Sequence, residues 1–204
     1  HKFNEKKIVD KVIHQIKDEK IISLISDAGT PTISDPGLVL VKKCFEENLN
    51  IYPIPGASAV TSAVSVCGFS DQYLFYGFLT KKEKELQSVL KRLRNLNYSI
   101  IFFIPALKIN FYIKEFRKYF LNRKILIARE MTKIHEEFIR NSVKLVKNLP
   151  ENTKGELTII LSEKIKEKKS KEEISESVKI EVKKMIKKYS LKDVVEFISK
   201  KENL

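Results

Sequence analysis

The sequence predicts an α/β protein: a parallel, doubly wound sheet over residues 1–70, a second α/β domain over 71–162, and a charged linker with the start of a helical module over 163–204. Three observations predict it. Helical and extended apolar patterns alternate up to Gly68, the order of a doubly wound sheet. Beyond Gly68 the register changes, and alternating strand patterns dominate. From Glu163 to Glu173 a Lys/Glu run carries almost no apolar residue, and helical periodicity resumes at Val178.

Asn4 to Lys17 reads as a helix with Ile8, Val12, Ile13 and Ile16 on one face. Ile21–Ile25 is a buried strand that ends at the loop SDAGTPTISDPG, Ser26 to Gly37. Leu38–Asn48 is a second helix, with Leu40, Val41, Cys44 and Phe45 inward, and IYPIP (Ile51–Pro55) is a short strand. Gly56 opens ASAVTSAVSVCGF, a helix whose Ala and Ser residues permit close packing. Tyr73–Leu79 alternates as a strand, Glu83–Leu96 is an amphipathic helix, Tyr98–Ile104 a strand and Leu107–Phe120 a helix. KILIARE, EEFIRN and GELTIIL supply three more strands, with a short helix near Val143–Asn148. In the tail, Ile180, Met185, Ile186, Val194, Val195 and Ile198 mark the apolar positions.

The 204 residues suffice for one large domain or two small ones. No apolar run approaches a membrane span and no signal peptide is visible, so a cytoplasmic protein without a membrane partner is expected. The chain opens at His1 on a helical pattern and stops at Leu204 inside another, as expected of a fragment. Cys44 and Cys67 lie in apolar helical contexts and read as core thiols; His1, His14 and His135 are too scattered for a metal site. The net charge of +13 points to a polyanion, most simply nucleic acid. Only six of the 39 basic residues are Arg, however, and a Lys-, Ile- and Asn-rich chain from an AT-rich genome carries a similar excess.

The Ser26–Gly37 loop holds two of the six glycines and two of the six prolines. It follows a parallel strand, where such folds bind ligands. Gly29 lets a ligand approach the backbone, Pro31 and Pro36 stiffen the loop, and Asp27 and Asp35 offer carboxylates to a hydroxyl or amine. No glycine-rich phosphate cradle is present, which excludes a nucleotide-binding dehydrogenase and favours a neutral or cationic small molecule. Composition alone is equally consistent with two turns that cap the next helix through Ser34 or Asp35.

SDAGTPTISDPG followed by PIPGASAVTSAVSVCGF resembles the tetrapyrrole-methylase superfamily. LIAREMTKIHEEFIR (Leu126–Arg140) and KGELTIIL (Lys154–Leu161) are similar to its branch that methylates a cytidine ribose 2′-oxygen in small-subunit ribosomal RNA. The resemblance implies a two-domain fold with a mixed sheet in the second domain. It also implies S-adenosyl-L-methionine (SAM) in a cleft between the domains, ribosomal RNA of the small subunit as partner, and a homodimer. Carried onto this sequence, the SAM wall comprises Asp27, Ala28, Gly29, Thr30, Pro31 and Ile33, joined by Ser58, with Met131 and Leu157 closing the cleft from the second domain. No metal is implied.

The chain departs from that branch in two places. The branch begins with a strand and a Thr-Pro-(Ile/Leu)-Gly-Asn loop that nothing before His1 supplies, so weak SAM binding is expected. After IIFFI the branch carries Glu-(Ala/Ser)-Pro-His-Arg, where this chain has IPALK, Ile104 to Lys108. If that run contacts RNA, Lys108 keeps a charge but loses bidentate pairing; if it caps a helix, little changes.

A ribose hydroxyl needs a base, or a cation that stabilises the forming alkoxide, while positioning carries much of the rate. AREMTKIHEE offers Arg129, Glu130, Lys133 and Glu136. Arg129 and Glu130 should point to opposite faces of a strand end. Glu130 is the expected cleft-facing acid and Lys133 the cation, with Asp27 as rival base; a salt-bridge cluster on a solvated turn would use the same residues. Lys81, Lys82, Lys84, Lys91, Arg92 and Arg94, and later Lys183, Lys184, Lys187 and Lys188, offer phosphate contacts. Two rival functions fit the sequence: a methyltransferase acting on a tetrapyrrole carbon, and a non-catalytic RNA-binding or ribosome-assembly protein that has kept the cofactor loop.

Overall fold

The computed structural model describes residues 5–165 and 176–202. The chain divides into two compact units, His1–Ile165 and Lys166–Leu204. In the first, α1 (Glu5–Lys17), α2 (Leu38–Glu46) and α3 (Ala59–Cys67) precede β1 (Tyr73–Phe78), α4 (Glu83–Leu93) and β2 (Ser99–Pro105). A 3-10 turn at Ala106–Lys108 leads into α5 (Ile109–Tyr119), followed by β3 (Lys124–Arg129), β4 (Glu137–Ser142) and β5 (Glu156–Leu161). The second unit holds α6 (Glu176–Met185) and α7 (Leu191–Glu202), with Val178 and Val194 buried.

The five strands form one mixed sheet in the order β1-β2-β5-β3-β4. β1 and β2 are parallel, and every other neighbouring pair is antiparallel. β1, β2 and β3 therefore point the same way. Their carboxyl ends lie along one end of the sheet, with the amino ends of β4 and β5 beside them.

Both faces of the sheet are covered, which is why its inner strands read as unbroken apolar runs. On one face Ile100, Phe102, Ile104, Ile125, Ile127 and Leu157 pack against Leu86 and Leu90 of α4 and Ile113 and Phe116 of α5. On the other, Ile101, Leu126, Ala128 and Ile160 pack against Val60, Ala63 and Cys67 of α3. The small residues of α3 bring that helix close, and Gly68 ends it in the left-handed conformation at φ 66°.

The α/β class is as the sequence predicts, but the parallel N-terminal sheet does not form among the described residues. Ile21–Ile25 and Ile51–Pro55 belong to no ladder. An apolar run predicts burial, whereas a strand also needs a neighbour for its N–H and C=O groups. Ile21, Ile25 and Ile54 stand 97%, 85% and 86% exposed. Phe45 and Ile8 are exposed too, and α1 meets α2 through Val9, Ile13 and Cys44 instead. The short helix expected near Val143–Asn148 is a turn. Asn110 captures the backbone of Leu149, donating from Nδ2 to its carbonyl and accepting its N–H, which draws the chain out of helical geometry. Most of the 163–173 charge run lies outside the described residues.

Candidate active site

The Ser26–Gly37 loop is held by its own backbone and by the segment before α3. The Ser26 hydroxyl donates to the Ala28 carbonyl at 2.8 Å, and the Thr32 N–H donates to the Pro36 carbonyl at 3.2 Å. Gly29, Thr32 and Ser34 all have positive φ, 73°, 71° and 61°. Two of the three carry a Cβ, so the loop stores strain of about 1 kcal/mol or more per residue, as functional loops often do. The Thr30 hydroxyl donates to the Ala57 carbonyl at 3.1 Å, which fastens the loop beside Ser58. On its other side the loop meets β1: a Cβ on Gly77 would stand 2.8 Å from the Ser34 hydroxyl. Gly77, at φ 81°, sits at the register shift between β1 and β2, close to the carboxyl end of β1.

A second cluster forms at the same sheet end, where β3 runs into Glu130–Lys133. Glu130 and Thr132 have φ of 46° and 67°. One carboxylate oxygen of Glu130 accepts the Glu156 N–H at 2.8 Å and the Lys133 ammonium at 3.1 Å. Lys133 also reaches Glu156 at 3.6 Å. The Glu156 N–H, with Lys133 adding to it, holds the Glu130 carboxyl below the usual carboxylate range. The hydrogen bond to Glu130, then the charges of Glu130 and Glu156, keep Lys133 above its ordinary range. Glu130 is thus a weak proton acceptor, and Lys133 is a permanent cation at half-exposed depth.

The expected site residues divide as follows. Asp27, Ala28, Gly29, Thr30 and Ile33 are exposed on the loop, with Pro31 half-buried. Ser58 adjoins them through Ala57, and Met131 packs on the same face as α3. Leu157 lies in the opposite core, 1% exposed, so any part it plays in a cofactor site falls to its backbone. Arg129 and Glu130 diverge as expected: Arg129 turns to Glu137 at 3.5 Å and to the Lys154 carbonyl at 3.1 Å.

The family of tetrapyrrole (corrin/porphyrin) methylases matches residues 1–146. The ribosomal RNA small subunit methyltransferase I of Thermotoga maritima is 38% identical over 79% of this chain and 73% of its own length. The protein of the same name from Mesomycoplasma conjunctivae is 38% identical over 83% of this chain and 71% of its own. The chain belongs to the tetrapyrrole methylases. The family's fold is seen in the uroporphyrin-III C-methyltransferase of Thermus thermophilus, solved with S-adenyl homocysteine, which superposes with a TM-score of 0.51 at 10% identity over 78% of this chain and 73% of that one.

Within this methylase fold, the IPALK departure ends β2. Ala106 is buried, and its N–H donates to the Gly155 carbonyl at 3.1 Å, so the run abuts the turn that holds Glu130. Lys108 starts α5 without a side-chain cap. Sequence reasoning missed two residues of this candidate site, Gly77 and Gly155. The signal was a single glycine inside or just before a strand pattern, which marks a bulge or a close backbone approach. Among the described residues no helix is long and apolar enough to cross a membrane, and no cluster of His, Cys, Asp or Glu could hold a metal ion.

Proposed function

We propose that this chain transfers a methyl group from SAM to the 2′-oxygen of a cytidine ribose in small-subunit ribosomal RNA. The observation that carries the reading is that the Ser26–Gly37 wall, through Gly77, and the Glu130–Lys133 turn occupy the same end of the sheet, the carboxyl end of β1 and β3. The donor set of the wall fits SAM: exposed backbone around Asp27 and Gly29, the Thr30 hydroxyl, and Ile33 for an apolar surface. Ala28, Pro31, Ser58 and Met131 complete the residues that would hold it. When bound, SAM supplies an activated methyl on a sulfonium.

The chain's own residues would position the ribose and handle its proton. Lys133 supports the oxygen as negative charge develops. Glu130, kept ionised, holds Lys133 in place. Asp27 is the better candidate to accept the proton, since Glu130 is already committed to the Glu156 N–H and Lys133. The reading further includes a homodimer, a cytoplasmic setting, and a functional division near Ser70 between cofactor loops and the sheet domain.

The test is tritium transfer from labelled SAM to small ribosomal subunits that lack the modification, beside uroporphyrinogen III as rival acceptor. Label in RNA supports the reading. Label in the tetrapyrrole alone moves the chain to the carbon-methylating branch, and SAM binding without transfer to either acceptor favours a binding protein.

A further inference from the structure

A cavity of about 340 Å³ opens on the α4/α5 side of the sheet, between edge strand β4 and the turn that follows it. It is separate from the Ser26–Gly37 wall, which lies at the opposite edge against β1. Ile139 and Leu149 give it an apolar floor, and Arg129, Lys147, Asn141 and Asn148 give it a polar rim together with one carboxylate, Glu137, which Arg129 holds at 3.5 Å.

The rim has unused hydrogen-bonding capacity. Arg129 spends two of its five N–H donors, on Lys154 and Glu137. Lys147 forms no ion pair among the described residues, and the Asn148 amide has no hydrogen-bond partner there. Asn141 accepts the Ser142 N–H at 2.8 Å through its oxygen, which leaves its NH₂ available. An apolar floor beside two amides, with Lys147 unpaired among the described residues and Glu137 held by Arg129, is chemistry that receives a base and its phosphate. Amides match the edges of a base, the floor its face and the cations the phosphodiester.

We propose that this cavity binds one splayed nucleotide of single-stranded RNA, adjacent to the nucleotide that is methylated. The proposal rests on the RNA-methylation reading above. The cavity opens at the same end of β3 as the Glu130–Lys133 turn, with Arg129 turned away from Glu130 into its rim.

The experiment titrates the ¹⁵N-labelled chain with cytidine 5′-monophosphate, with cytidine, and with inorganic phosphate, and follows the side-chain NH₂ signals of Asn141 and Asn148. Cytidine 5′-monophosphate is expected to shift both. Lys147→Glu, an exposed change that spares the core, is expected to weaken that binding about tenfold and to raise KM for small subunits without changing SAM affinity. Lys144→Glu, outside the cavity, is expected to leave both unchanged. Nucleotide shifts without methyl transfer would support the pocket and contradict the methylation reading. Methyl transfer with neither amide shifting would overturn the pocket alone. Equal shifts from inorganic phosphate would overturn it as a nucleotide site.

Discussion

Gly155 and Glu130 leave no room between them: a Cβ on Gly155 would stand 2.6 Å from the Glu130 Cγ and 2.7 Å from its Oε1. Gly155 also has φ 107°, where a side chain is strained. The glycine is therefore what lets the β5 backbone reach the carboxylate. Gly155→Ala is expected to cost about 2 kcal/mol of stability, measured by urea unfolding. It should also displace Glu130 and lower methyl transfer more than SAM binding. An Ala variant of full stability and activity would show that the close approach is unimportant.

Gly77 plays the corresponding part for the Ser26–Gly37 loop. At φ 81°, with the Ser34 hydroxyl 2.8 Å from where a Cβ would sit, it allows the Ser26–Gly37 loop to rest on β1. Gly77→Ala is expected to push the loop outward and weaken SAM binding about tenfold, the equivalent of one lost hydrogen bond or slightly more. Ser34 has φ 61°, so Ser34→Gly relieves both the contact and the local strain. The double variant should recover much of the affinity, read by calorimetry.

The Glu130 carboxyl lies below its ordinary range chiefly because of the Glu156 N–H and then Lys133. A folded-state value below the unfolded one means that its stabilisation is present at neutral pH and is lost as pH falls through the usual carboxylate range to the folded value. The melting-temperature gap between the parent chain and Glu130→Gln should accordingly be widest near pH 7 and close in acid. A gap that stayed constant with pH would mean that the carboxylate charge does not matter to the turn.

Arg123 is 1% exposed, and its guanidinium donates to the carbonyls of Tyr98 at 2.8 Å and Ser162 at 2.6 Å, and to those of Leu96 and Arg94. Burial lowers its pKa, and Glu163 offsets part of that. The side chain ties the end of α4 and the start of β2 to the end of β5. Arg123→Leu strands those carbonyls and is expected to cost about 3 kcal/mol or more. Arg123→Lys should recover only part of that, because one ammonium cannot span the same fork of acceptors.

The sheet was largely legible because β2, β3 and β5 are buried on both faces, and their apolar runs leave little choice of assignment. The loop pattern was legible because its Gly, Pro and Asp spacing resembles one family. Three features were not. Ile21–Ile25 and Ile51–Pro55 have strand composition, yet pairing depends on a neighbour that local sequence does not specify. The 143–145 turn has helical spacing, and it is Asn110, distant in sequence, that diverts the chain. Leu157 lies in a motif that resembles the family, but strand alternation places its side chain in the core away from α3. Motif position can mark a backbone that lines a site without saying which side chains face it.

The most direct measurement is nucleoside mass spectrometry of small-subunit ribosomal RNA after incubation with this chain and SAM carrying a deuterated methyl group. Labelled 2′-O-methylcytidine from a single site is the predicted result. Label on a base, or none in RNA while a tetrapyrrole accepts the methyl, would contradict ribose methylation as the activity of this site.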